Sequence, residues 1–366
     1  MKRVASLLLM SLVVASCTKS EPVRIGFLAG ISGRVADLGV AGRNGAMLAV
    51  EQKNSNGGVN GRQVELVIRD DEQNPVTARK AVSELVDQEI ELVIGPMTSS
   101  IAMAILPQIN SSKTILLSPT VTSTAFTGKD DNFLRVIDDT RYYATKSAHY
   151  QYQKLRHRTV SAIYDRNNSA YTDSWLKDFV QEFERLGGKV LQARPFRSGS
   201  DSAFSELARE VLADRPEVVL VISNAMDAAL IYQQVRKINP REPLFASEWG
   251  ATERFIELAG TAAEGTVISQ FINRNDSSPR YTAFVSAYRG RFGQEPGFAG
   301  LAGYDAAQVA LEALAHRKSG ESLKQAIIRI ADFQGAQQQI RIDRFGDANR
   351  ASYITEVRNG SYHTLE

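Results

Sequence analysis

The chain has 366 residues, of which 43 are Lys or Arg, 41 are Asp or Glu and one is Cys, and 43% of it is apolar. A net charge of +2 leaves no basic surplus to displace counterions from a phosphate backbone, and no Lys/Arg cluster is interleaved with aromatics, so nucleic acid is not an expected partner. A single cysteine excludes an internal disulfide, and the length exceeds what one hydrophobic core fills, which points to two domains.

Lys2 and Arg3 precede an apolar stretch over 4–14, and small residues lead into Cys17. This pattern predicts a secretory signal peptide over 1–16, since about eleven apolar residues are too few for a permanent membrane helix. The small residues directly before the cysteine resemble the bacterial lipobox. Cys17 is therefore the expected acylated N-terminus, with 17–21 as a tether to the bilayer. Without the leader the chain carries 41 basic and 41 acidic residues and is neutral. No later apolar run approaches membrane-spanning length, so the expectation is an exported soluble body anchored at one end, in the periplasm or on the cell surface.

Beyond the tether, short β-branched runs alternate with amphipathic ones, the pattern of βαβ units and a mostly parallel sheet. In chain order the spacing predicts strand 23–28, helix 40–53, strand 63–69, helix 76–87, strand 91–94, helix 101–109 and strand 114–117. A long helix over 140–154 then starts a second set. It comprises strand 159–164, helix 171–186, strand 189–196, helix 202–212, strand 218–222, helix 225–238 and strand 244–246. The tail reads as helices 281–292, 301–315 and 323–330, too apolar to stand alone, followed by strands 338–342 and 352–357. With no low-complexity linker between the parts, the chain is expected to cross between two lobes more than once. The expected fold class is α/β, with two doubly wound lobes joined by a three-segment hinge. The first lobe is assigned 22–139 plus 272–345, and the second 140–271 plus 346–366.

Ligands collect at the carboxyl ends of strands in open α/β sheets, so the loops after each strand are the places to search. The loop after 91–94 reads Gly95-Pro96-Met97-Thr98-Ser99-Ser100, and that after 114–117 reads Ser118-Pro119-Thr120-Val121-Thr122-Ser123. Taken singly, these hydroxyls are ordinary helix caps. Side by side on adjacent strands, two helix starts and their hydroxyls form a cradle for a carboxylate. After 244–246 comes Ser247-Glu248-Trp249-Gly250, an acid beside an aromatic in the opposite lobe. If Glu248 faces the cradle it supplies the counter-charge for an ammonium, and the two together describe an α-amino acid.

Ile25-Gly26 through Ser32-Gly33, Gly57-Gly58-Val59-Asn60-Gly61-Arg62, Asp70-Asp71 with Asn74-Pro75, Ile94-Gly95-Pro96, Ala263-Glu264-Gly265 and Tyr304-Asp305-Ala306 stand in an order and spacing that resemble the leucine/isoleucine/valine-type periplasmic binding proteins of ABC importers. The resemblance runs through essentially the whole chain after the leader. It implies two lobes joined by three crossovers and a ligand clamped between them. It also implies that Ser99, the Thr120 carbonyl and the Thr122 hydroxyl and amide hold the amino-acid head group, with Glu248 on the ammonium. The resemblance further implies that Tyr171 contacts ligand from the second lobe and that Leu38 lines the pocket. An aromatic sometimes found near Asn224 and Ala225 is missing here, and Trp249 stands where a small residue is common. Asn224 and Trp249 are therefore included among the candidate ligand contacts.

The implied activity is capture of an amino acid, branched-chain or related, and its delivery to a membrane permease, with no cofactor, no metal and a monomeric chain. Two alternatives share the fold: a tethered sensor, and a binder of an amide, urea or an aromatic acid. An enzyme is disfavoured. Gly26, Gly30 and Gly33 do not have dinucleotide-loop spacing, the glycines of 260–266 lack a P-loop lysine, and His149, His157, His316 and His363 show no metal spacing.

Overall fold

Runs of Val, Ile and Leu too short for helices, and buried on both faces, build two separate sheets in the computed structural model, which describes residues 21–199 and 204–366. Cys17 and the leader lie outside the described residues. The first sheet contains β1 (Val23–Ala29), β2 (Val64–Asp70), β3 (Leu92–Ile94), β4 (Ile115–Ser118) and β5 (Phe133–Arg135) in the order β2-β1-β3-β4-β5, all parallel. Its connecting helices are α1 (Ala36–Ser55), α2 (Pro75–Asp87) and α3 (Ser99–Asn110). Asn74 caps α2 by accepting from the amides of Val76 and Thr77, and Pro75 fits the first turn, where its missing N–H costs nothing.

The second set runs through α4 (Thr140–His149), β6 (Thr159–Asp165), α5 (Ser169–Arg185), β7 (Lys189–Phe196), α6 (Phe204–Ala213), β8 (Val218–Ile222), α7 (Ala225–Ile238), β9 (Leu244–Ala246), α8 (Glu253–Ala259) and β10 (Val267–Gln270). The chain then returns to the first sheet with α9 (Pro279–Phe292), α10 (Gly297–His316) and α11 (Leu323–Ile330). A small antiparallel sheet follows, made of β11 (Asp332–Gln334), β12 (Gln339–Ile342) and β13 (Ala348–Asn349). Finally β14 (Tyr353–Arg358) and β15 (Ser361–Thr364) add antiparallel to β10, completing the order β15-β14-β10-β9-β8-β6-β7. The result is a two-lobed α/β molecule whose chain crosses between the lobes after β5, after β10 and before β14.

Helix α10 lies against α1 with backbones nearly touching. A Cβ placed on Gly45 would come within 2.0 Å of the Gly300 carbonyl oxygen, and one on Gly303 within 2.1 Å of that of Gly42. Glycine at these positions is thus a requirement of close approach. The expected helix over 140–154 is present but widens at its end: α4 is α-helical to His149 and continues as a π-helix over Tyr150–Lys154, with Leu155 N donating to the Tyr150 carbonyl at 3.0 Å. The first two residues expected for the helix at 202–212 lie outside the described residues.

One side chain ties the three crossovers together. Arg350, on the third, is fully buried and pairs with Asp305 of α10 at 2.7 Å. Its Nη1 donates to the Val136 carbonyl on the first crossover at 3.3 Å, and its guanidinium lies 4.5 Å from the ring centre of Phe271 on the second. Its backbone N–H donates to Asp138 at 2.6 Å. Removing one partner of a buried pair leaves a desolvated charge and costs roughly 3–5 kcal/mol. Asp305→Ala is expected to lose stability on that scale in denaturant unfolding, and a loss under about 1 kcal/mol would show that the hinge does not lean on this pair.

Candidate functional site

The carboxyl ends of β3, β4 and β9 carry the three hydroxyl- or acid-bearing loops, and the two sheets face one another so that these loops meet. Around one cavity lie Ser99, Thr120 and Thr122 from the first lobe with Leu38 of α1, and Tyr171, Glu248 and Trp249 from the second. Seven of the eight expected residues are thereby brought together. The eighth, Asn224, is elsewhere: it caps α7, its Oδ1 accepting from Asp227 N at 3.0 Å and its Nδ2 donating to the Asp227 carboxylate at 2.7 Å. An Asn three residues before an acid is a capping pattern, and that local bonding consumes the side chain. Larger depressions exist, such as one of about 1030 Å³ at the amino ends of β1, β3 and β4, opposite to the ends where open α/β sheets bind ligands.

Within the cavity the hydroxyl loops are pinned to each other. The Thr120 hydroxyl donates to the Met97 carbonyl at 2.6 Å, and Ser99 Oγ accepts from the Ser123 amide at 3.3 Å, which leaves the Ser99 hydroxyl hydrogen free to donate. The Thr122 carbonyl is taken by the Thr140 amide at 2.7 Å, while Thr122 Oγ1 is buried without a partner. The expected pair of helix starts is reduced to one. Ser99 opens α3, but the second loop continues only into a single 3₁₀ turn, Thr124–Phe126, before β5. The cradle therefore rests on hydroxyls rather than on two helix dipoles.

Across the cavity Glu248 begins a 3₁₀ turn, and it is 5% exposed. Its Oε2 accepts from the Trp175 indole N–H at 2.9 Å, whereas Oε1 is buried with no partner. The Tyr171 hydroxyl and Ser247 Oγ are buried close to each other and to this carboxylate without a well-formed hydrogen bond. Burial pushes the Glu248 carboxyl up to about 7, against the pull of its own backbone amide, of Trp175 and of the nearby Tyr171 and Thr122 hydroxyls. Trp175 was not evident from sequence as a site residue. It stands four residues after Tyr171 on the same face of α5, and that spacing was the available signal. Phe298 and Ile137, which also line the cavity, come from the start of α10 and from the first crossover and carry no local motif.

Polar contacts bridge the lobes around the cavity. The Ser100 amide donates to Asn168 Oδ1 at 3.0 Å, and the Ala170 amide donates to Ser100 Oγ at 3.2 Å. Thr124 and Ser174 share hydroxyls at 2.8 Å, and Thr252 donates to the Asp37 carboxylate at 2.6 Å. Arg34, in the loop after β1, reaches the buried Asp227 on α7, with Nε at 3.2 Å. Asn224 thus orients the acid that receives an arginine from the other lobe.

Residues 22–361 match the sequence profile of periplasmic binding proteins. The chain belongs to the periplasmic binding protein family. It is 25% identical over 279 residues to a Leu/Ile/Val-binding protein of Rhizobium johnstonii, covering 76% of this chain and 74% of that one. It is 21% identical over 332 residues to a leucine-, isoleucine-, valine-, threonine- and alanine-binding protein of Pseudomonas aeruginosa, covering 90% and 87%. A crystal structure of a leucine-binding protein from Thermotoga maritima superposes with a TM-score of 0.87 at 26% identity, over 94% of this chain and 98% of that one. The two-lobed architecture is thus that of a type I periplasmic binding protein. Among the described residues no helix is long and apolar enough to cross a membrane.

In this binding protein the Arg34–Asp227 contact joins the two lobes beside the cavity, with Asp227 fully buried. Arg34→Ala is expected to lower the closed population of the ligand-loaded protein, read as a larger radius of gyration than the unaltered protein shows by small-angle scattering at the same saturating ligand. An unchanged scattering curve would assign the contact no part in closure.

Proposed function

We propose that this protein captures an α-amino acid between its lobes, branched-chain or related, and presents it to an ABC permease. Glu248 receives the ammonium, while Ser99, Thr120 and Thr122 hold the carboxylate, with Tyr171, Trp249 and Leu38 around the remainder. The observation that carries this reading is the Glu248 carboxylate, buried with one oxygen unpaired and facing hydroxyls of the opposite lobe across one cavity. A plain carboxylic acid would leave that oxygen unpaired and add a second negative charge, so an amine-bearing ligand fits better. The names of the relatives point the same way. Cys17 is the proposed lipid anchor, the chain works as a monomer, and it binds and releases its ligand without turnover.

A ligand bonded to both lobes makes all its contacts only in the closed state, so its differential affinity drives closure. Moving the hinge from mostly open to mostly closed needs on the order of 5 kcal/mol of that difference. Desolvated charge pairing at Glu248 and the hydroxyl cradle supplies it, and the closed surface is what a permease reads.

The ionisation of Glu248 gives the reading a sign. Its folded value of about 7 lies above the ordinary 4.5, so this group favours the ligand-free fold below pH 4.5 and that contribution is lost as pH rises toward 7. An ammonium requires the carboxylate, so binding below pH 7 must expel a proton and weaken about tenfold per pH unit. Calorimetry with an amino-acid panel is expected to show this slope, and Glu248→Gln should lower affinity at least tenfold and flatten the profile. Unchanged affinity in Glu248→Gln would remove Glu248 from the site.

A further inference from the structure

We propose that the ligand of this cleft is a small α-amino acid of the size of glycine, alanine or serine, and that Trp249 and Phe298 set that limit by occupying the room a longer side chain would take. The inference rests on the amino-acid reading above and narrows it.

The cavity between the lobes is about 20 Å³, so every amino acid must part the lobes to enter and the smallest part them least. Pockets that take drug-sized ligands are roughly 300–1,000 Å³. What fills the cleft is apolar. Trp249 from the second lobe and Phe298 from the first are 7% and 3% exposed, and Leu38, Met97 and Ile137 close the remaining apolar wall. Trp249 lines the same cavity as Glu248, so its ring bounds the room left for a side chain leaving the ligand's α-carbon.

Neither ring is free to make room. Trp249 meets Tyr171 edge to face, with ring centres 5.6 Å apart. Tyr171 belongs to α5, whose start is tied to the first lobe by Asn168 on the Ser100 amide at 3.0 Å and by the Ala170 amide on Ser100 Oγ at 3.2 Å. Phe298 stands perpendicular to Phe271 at 6.5 Å, and Phe271 lies under the buried guanidinium of Arg350. One ring is therefore fixed by the lobe contacts and the other by the hinge. A leucine-sized ligand would have to hold the lobes apart, and the bonds from Ser100 to Asn168 and Ala170 and between Thr124 and Ser174 would lengthen together.

Titration calorimetry of the purified protein with glycine, L-alanine, L-serine, L-leucine and L-phenylalanine tests the limit. The expected result is that at least one of the three small amino acids binds ten-fold or more tightly than leucine, and that Trp249→Ala shifts the leucine-to-alanine ratio toward leucine by ten-fold or more. Phe298→Ala, in the other lobe, provides the same readout should Trp249→Ala fail to fold. Leucine binding the unaltered protein as tightly as alanine or more so would overturn the size limit and leave the amino-acid reading standing. Binding of none of the five would remove both.

Discussion

A carboxylate buried between two lobes with one oxygen unpaired is the constraint around which this molecule is organised. Desolvating such a charge costs several kcal/mol, and no Lys or Arg lines the cavity to offset it. The single indole donor from Trp175 covers Oε2 alone. Glu248 is consequently about half protonated near pH 7. On the proposed reading, the ammonium that completes the charge balance comes with the ligand.

The rest of the architecture makes that arrangement reversible. Closure is carried by a handful of polar bridges between side chains on loops and helix starts, which water can replace when the lobes part. Inside that polar rim, opening also separates Trp249 and Tyr171 from Leu38 and Phe298. The hinge is built in the opposite way, with the Arg350–Asp305 pair fully buried and Arg350 touching all three crossovers. The mouth is thus joined by exposed or half-buried polar contacts, and the crossovers by a buried charge pair.

Much of this was legible from local chemistry. The strands 189–196, 218–222 and 244–246 and the helices 225–238 and 323–330 agree with the structure residue for residue, because β-branched runs and caps delimit them. Ser322 and Gln325 form a reciprocal capping box at the start of α11. The missing strand β5 shows the limit. Its Arg135 reads as a loop charge, yet the guanidinium is 1% exposed, held at 2.6 Å by Asp347 and at 2.7 Å by Thr127. A partner 212 residues away leaves no trace in a local window. The site divides along the same line. Hydroxyl loops and an acid at strand ends announce themselves, and the Asn224 cap was equally readable as a cap. Phe298, Ile137 and the Arg34 bridge depend on how the lobes meet, which no periodicity encodes.

The central claim is that the ligand's cation neutralises Glu248. Carbon-13 NMR of the Glu248 side-chain carboxyl, titrated with and without saturating amino acid, measures this directly. The account predicts a midpoint near pH 7 in the free protein that falls below the ordinary carboxylate value of 4.5 in the complex. A midpoint that stays near 7 when ligand is bound would contradict it.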